Sequence, residues 1–132
     1  MSARVLVVDD NPTNLKLVSD VLAFEGYDIL KAADAEEAQV ILSRVLPDLI
    51  LMDIALPGMD GLTLTRKVKA DPRTHHVRIV ALTAFAMKGD DQKALDAGCD
   101  GYITKPIDTR ALPQQVAQIC RVPARQPGKG TG

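Results

Sequence analysis

Aromatic side chains are nearly missing from this chain: two Phe, two Tyr and no Trp among 132 residues. Without a row of flat rings there is no stacking platform for single-stranded nucleic acid. The positions of Phe24, Tyr27, Phe85 and Tyr102 become correspondingly informative. Cysteine is just as scarce. Cys99 and Cys120 are too far apart for a CxxC pair, so neither a disulfide framework nor a zinc site is expected. Both are read as buried, inert thiols. No apolar stretch reaches the length of a membrane-spanning helix, and the first residues run straight into a strand pattern rather than a signal peptide. No membrane association is expected, and the cytoplasm is the expected location. An excess of one charge is lacking too. The formal net charge is −1 with both signs spread along the chain, which argues against a dedicated nucleic-acid surface.

What remains is an ordinary globular composition, 46% hydrophobic and 25% charged, in a chain long enough to bury one core. A first strand is expected over residues 4–9. A helix follows over 12–25, with Leu15, Val18, Val21 and Leu22 at helical spacing, Asn11 as N-cap, Pro12 at the first helical position and Gly26 as stop. A strand at 27–32 leads to a second helix over 34–45, and "LILMD" forms a third strand at 49–53. In the turn-rich "LPGMDG", Gly58 and Gly61 are read as supplying positive φ. A third helix runs from Leu62 to Ala70, and "RIVALT" is a fourth strand ending at Thr83. A weakly amphipathic fourth helix near 90–97 stops at Gly98, and "GYITK" is a fifth strand ending at Lys105. Pro113 implies a fifth helix that starts near Leu112, with Leu112, Val116 and Ile119 facing the core. Such alternation predicts an α/β domain, a parallel sheet with helices on both faces. The domain is assigned to residues 1–121, with 122–132 a flexible tail without apolar periodicity.

In a parallel sheet, ligands bind at the carboxyl ends of the strands. Those ends read Asp9-Asp10, Asp53, Thr83 and Lys105. Two adjacent carboxylates at the end of a buried strand repel each other and lose hydration. Each residue alone has an ordinary explanation: a helix cap, a turn cap, a strand hydroxyl, a solvated ammonium. Together they gather on one rim. Three crowded carboxylates favour a hard divalent cation, and an open oxygen site suits Mg²⁺, with Mn²⁺ or Ca²⁺ able to substitute. The cation offsets the repulsion and leaves Asp53 able to attack phosphorus and form an aspartyl-phosphate. Lys105 and Thr83 can then donate to phosphoryl oxygens.

Through "VLVVDDNPTN", "PDLILMDIALPGMDGL", "IVALTAFA" and "GYITKPI", the chain resembles the receiver domain of two-component response regulators, over residues 3–121. "TAFAMKGD" is further similar to stand-alone DivK-type receivers and to receivers of hybrid histidine kinases. The resemblance implies a flavodoxin-like (βα)5 fold, a doubly wound five-stranded parallel sheet in the order 2-1-3-4-5. It implies that Asp53 is the phosphoacceptor. Asp10, Asp53 and the backbone carbonyl of Ala55 would ligate Mg²⁺ directly, and Asp9 through water. Thr83 and Tyr102 would form a switch pair, and Lys105 would hold the phosphate, followed by a cis Lys105-Pro106 bond. Ala84 would leave the phosphoryl pocket open.

The implied partners are a histidine kinase or histidine phosphotransfer protein, and a downstream protein docking on the fourth helix, fifth strand and fifth helix. Nucleic acid and membrane are not expected partners, and the domain is expected as a monomer or weak dimer. The expected role is a phosphoacceptor switch rather than an enzyme with a separate substrate. A module excised from a hybrid histidine kinase or multidomain regulator is the alternative. An Asp-nucleophile phosphohydrolase is a further one, but it places a second Asp two residues after its nucleophile on the first strand. Here Asn11 and Pro12 follow Asp9 and Asp10. His75 and His76, in a loop with Pro72 and Arg73, are expected to be solvated surface. "MKGDD" (87–91) is read as an exposed segment suited to a switch, or as a simple helix start.

Overall fold

Every residue from Leu49 to Asp53 is buried, a pattern that belongs to a strand covered on both faces. The computed structural model describes residues 3–54, 61–83, 95–104 and 107–121, with the side chains at 83, 120 and 121 outside that set. Its strands are β1 (Arg4–Val8), β2 (Asp28–Ala32), β3 (Leu49–Asp53), β4 (Arg78–Thr83) and β5 (Gly101–Thr104). They pair in parallel in the order β2-β1-β3-β4-β5, as expected of a flavodoxin-like doubly wound sheet.

Alternation along each strand sends neighbouring side chains to opposite faces. Leu6, Val8, Ile50, Met52, Ile79 and Ala81 meet α2 (Ala35–Leu42) and α3 (Gly61–Ala70) on one side. Val5, Val7, Leu49, Leu51, Val80 and Leu82 meet α1 (Pro12–Phe24) and the C-terminal helix (Leu112–Arg121) on the other.

Helix ends follow their local chemistry. The Asn11 side chain accepts from Thr13 N and Asn14 N, and Pro12 opens α1. Asp34 accepts from Glu37 N at 2.8 Å while Glu37 accepts from Ala33 N at 2.6 Å, a reciprocal cap for α2. α2 ends at Leu42, short of the expected Val45. Ser43 N and Arg44 N turn back to Val40 O and Ile41 O, tightening the last turn before Pro47. Gly26 (φ +97°) and Gly98 (φ +111°) take the left-handed conformation where helical segments stop, as read from the sequence. Pro113 lies in the first turn of the C-terminal helix, with Leu112 and Val116 fully buried and Ile119 packed beside them. Among the described residues, no helix is long and apolar enough to cross a membrane.

Candidate functional site

β1 carries Asp9 and Asp10 to the carboxyl rim of the sheet. Asp9 N donates to Ala32 O at 3.1 Å, so the ladder to β2 runs one residue beyond the strand. Its side chain is 1% exposed, and Oδ1 accepts from Asn11 N at 2.9 Å. The residue that caps α1 thereby fixes the first carboxylate. β3 brings Asp53, 4% exposed, to the same rim beside Leu82 of β4. Asp10 is open to solvent. Carboxylate oxygens of Asp9, Asp10 and Asp53 all lie within 4.8 Å of one another.

Like charges about 4 Å apart cost roughly 4 kcal/mol at an effective dielectric of 20. The donor set fits a hard divalent cation: oxygens only, three negative charges, and one solvent-facing carboxylate that lets the ion keep water. The three acidic residues read from sequence are therefore brought together. Thr83 ends β4 in register with Thr104, which puts its backbone on the same rim. Its side chain, with Ala55, Gly58, Ala84, Phe85, residues 87–91, Lys105 and the Lys105-Pro106 bond, lies outside the described residues. Tyr102, on β5, is 44% exposed.

Gly61 requires a correction. Its φ is not positive; the glycine answers a close approach instead. A Cβ there would lie 2.5 Å from the Asp53 carbonyl oxygen and 2.7 Å from Ile54 Cα. Gly61 N donates to Ile54 O at 3.2 Å, so the start of α3 sits directly on the backbone of Asp53. One turn on, the fully buried Thr65 donates its hydroxyl to Gly61 O at 2.8 Å and touches Cys99 Sγ at 3.9 Å. Thr65 was not singled out in the sequence, though its i,i+4 spacing from Gly61 was the available signal. Cys99 is free and buried, as expected, and burial pushes its thiol pKa up. His75 and His76 are exposed, their rings edge to face at 6.1 Å.

Comparison with known proteins agrees with this geometry. Residues 5–117 match the response regulator receiver domain family. Response regulator PleD of Caulobacter vibrioides is 43% identical over 121 residues; the match covers 92% of this chain but only 27% of PleD. The polar-differentiation response regulator DivK of Brucella ovis is 42% identical over 107 residues, covering 81% of this chain and 87% of DivK. Among solved structures, the chemotaxis response regulator CheY4 of Vibrio cholerae superposes with a TM-score of 0.86 at 27% identity, covering 90% of this chain and 99% of that one. This chain belongs to the response regulator receiver domain family of two-component systems.

Proposed function

We propose that this domain is a Mg²⁺-dependent phosphoacceptor switch. The gathering of Asp9, Asp10 and Asp53 at the carboxyl rim is the observation that carries this reading. Asp10, Asp53 and the Ala55 carbonyl would hold the ion directly and Asp9 through water, with Mn²⁺ or Ca²⁺ as substitutes. When bound, the ion neutralises carboxylate charge and one phosphoryl oxygen.

A carboxylate oxygen of Asp53 attacks the phosphorus of a phosphohistidine on a histidine kinase or histidine phosphotransfer protein. The P–N bond breaks, and its electron pair stays with the imidazole nitrogen. The Lys105 ammonium and Thr83 hydroxyl donate to the remaining phosphoryl oxygens. Thr83 then draws toward the phosphoryl group and the Tyr102 ring turns inward behind it. The present 44% exposure of Tyr102 leaves the ring that movement to make. The changed face, formed by the helical segment before Gly98, β5 and the C-terminal helix, is the docking surface for a downstream protein.

Residues 1–121 form the receiver in this reading, and 122–132 lie outside it. The domain acts in the cytoplasm, as monomer or weak dimer, and catalyses only its own phosphorylation and dephosphorylation. A module of a longer regulator is a second reading, supported by the 27% of PleD that the chain spans.

The test is phosphate incorporation from acetyl phosphate or phosphoramidate with and without Mg²⁺, followed by intact mass. Wild type takes up one phosphoryl group with Mg²⁺, and Asp53→Asn takes up none. Equal incorporation in both proteins would overturn the assignment.

A further inference from the structure

Charge is less evenly spread in space than the net value suggests. Residues 66–78, "RKVKADPRTHHVR", hold five Arg and Lys against one Asp in a chain whose net charge is −1. They span the end of α3, the loop to β4 and the first residue of β4, at the end of the helices away from the Asp9–Asp53 rim.

Part of this excess has structural work. Lys69 donates to Val77 O at 2.8 Å and to Asp100 Oδ2 at 3.1 Å. Asp71 Oδ1 accepts from Arg73 N at 2.8 Å, so the one carboxylate is committed to its own turn. Arg66 and Lys67 remain exposed, and among the described residues neither pairs with a carboxylate. Arg73 donates one N–H to Leu42 O, the last residue of α2, at 2.6 Å. That bond fixes the guanidinium in place and leaves its other donors for a ligand.

Beside these cations, α2 and α3 part over a cavity of about 170 Å³. Three of its nine lining residues, Leu42, Leu64 and Val68, are apolar, and Lys67, Asp71 and Arg73 are among the six polar ones. The hydroxyls nearby make no demand on an occupant: Ser43 donates to Val40 O at 2.6 Å and Thr74 to Val68 O at 2.7 Å. The size decides between ligands. Small-molecule sites run to about 300–1,000 Å³, whereas a cavity of about 150 Å³ holds one benzene-sized group. By size this cavity suits one side chain rather than a nucleotide, and Leu42, Leu64 and Val68 give it an apolar part.

We propose that the α2–α3 groove docks an acidic segment of a partner protein. One apolar side chain enters the cavity, and flanking Asp or Glu residues face Arg66, Lys67 and Arg73. Nucleic acid is the poorer fit. Its affinity depends on many phosphate contacts or on stacking, whereas Lys69 is already paired with Asp100 and, among the described residues, no Phe, Tyr or Trp lines the groove. The surface is separate from Asp53, so it stands or falls independently of phosphoryl transfer.

The experiment titrates the ¹⁵N-labelled full chain with three probes. They are a synthetic peptide with one Leu flanked on each side by Glu, the same peptide with Ser for Leu, and a DNA duplex of equal charge. The Leu peptide should give saturable amide shifts centred on Leu42, Leu64, Val68 and Thr74. Affinity should fall about tenfold for the Ser peptide, from the loss of one buried aliphatic side chain. It should fall about fivefold for Lys67→Glu, an exposed position, with shifts elsewhere unchanged. No saturable binding by the Leu peptide would overturn the proposal. So would equal binding of the Ser peptide or of the duplex, or an undiminished affinity in Lys67→Glu.

Discussion

Aspartates stand at both ends of the parallel strands, and the two ends use them in opposite ways. Where strands begin, carboxylates bind backbone. Asp48 Oδ2 accepts from Arg4 N at 2.8 Å and ties the start of β3 to β1. Asp100 Oδ2 accepts from Ile79 N at 2.8 Å and from Lys69 Nζ at 3.1 Å, joining β5, β4 and α3. Where strands end, Asp9, Asp10 and Asp53 are gathered within 4.8 Å of one another. Exposure does not separate the two groups, because Asp48 and Asp10 are both exposed. What separates them is grouping: Asp48 and Asp100 act singly, whereas Asp9, which also accepts from Asn11 N, stands with two other carboxylates. One end spends its carboxylates on fixing the register of the sheet; the other holds like charges together, an arrangement that a cation relieves.

The harshest way to break this comparison is to fill the space behind Asp53. Gly61→Ala places a methyl 2.5 Å from the Asp53 carbonyl oxygen, and a backbone atom in mid-fold cannot swing away as a side chain would. The expected cost is about 3 kcal/mol or more, read from the urea midpoint. Mg²⁺ affinity should fall with it, because the displaced segment carries the central carboxylate. A variant matching wild type in both measurements would remove Gly61 from the site.

Neutralising one aspartate at each end should then give changes of opposite sign. Asp100→Ala leaves Ile79 N and the Lys69 ammonium without their shared acceptor. Stability should drop by about 2–3 kcal/mol. Asp53→Asn removes one of three crowded charges, and in EDTA it should raise stability by about 1–2 kcal/mol. Added Mg²⁺ should stabilise wild type and do much less for Asp53→Asn. If Asp53→Asn were destabilising in EDTA, the picture of a rim strained by like charges would be wrong.

Strand ends were legible because a run buried on both faces has few alternatives, and a parallel sheet aligns its carboxyl ends. "LILMD" and "RIVALT" coincide with β3 and β4, and Asn11 and Pro12 open α1 as read. The three carboxylates therefore met as the topology required. The need for Gly61 was not legible, because the atoms that forbid a side chain arrive from another element. Nothing near Asp100 in the sequence marks its role, since Lys69 lies 31 positions away and Ile79 21. The cationic groove was hidden by averaging: a net charge of −1 says nothing about five cations concentrated in residues 66–78.

The smallest effect concerns Cys99, which sits in the core between the two ends, touching Thr65 on one side and preceding Asp100 on the other. Burial is the main cause of its raised thiol pKa, and the Thr65 contact offsets part of it. The unfolded chain releases this proton first, near the ordinary thiol value of about 8.5. The associated stability is thus fully present below that pH and is lost as pH climbs toward the higher native value. The loss should begin near the unfolded thiol value and grow with pH until the native thiol itself ionises. In a Cys120→Ser background, urea midpoints of the Cys99 protein should fall from pH 7.5 to 9 more steeply than those of Cys99→Ala. Iodoacetamide should modify Cys99 in urea and spare it in the native state. Parallel pH curves, or native alkylation as fast as in urea, would mean that the core linking the two ends admits solvent at Cys99.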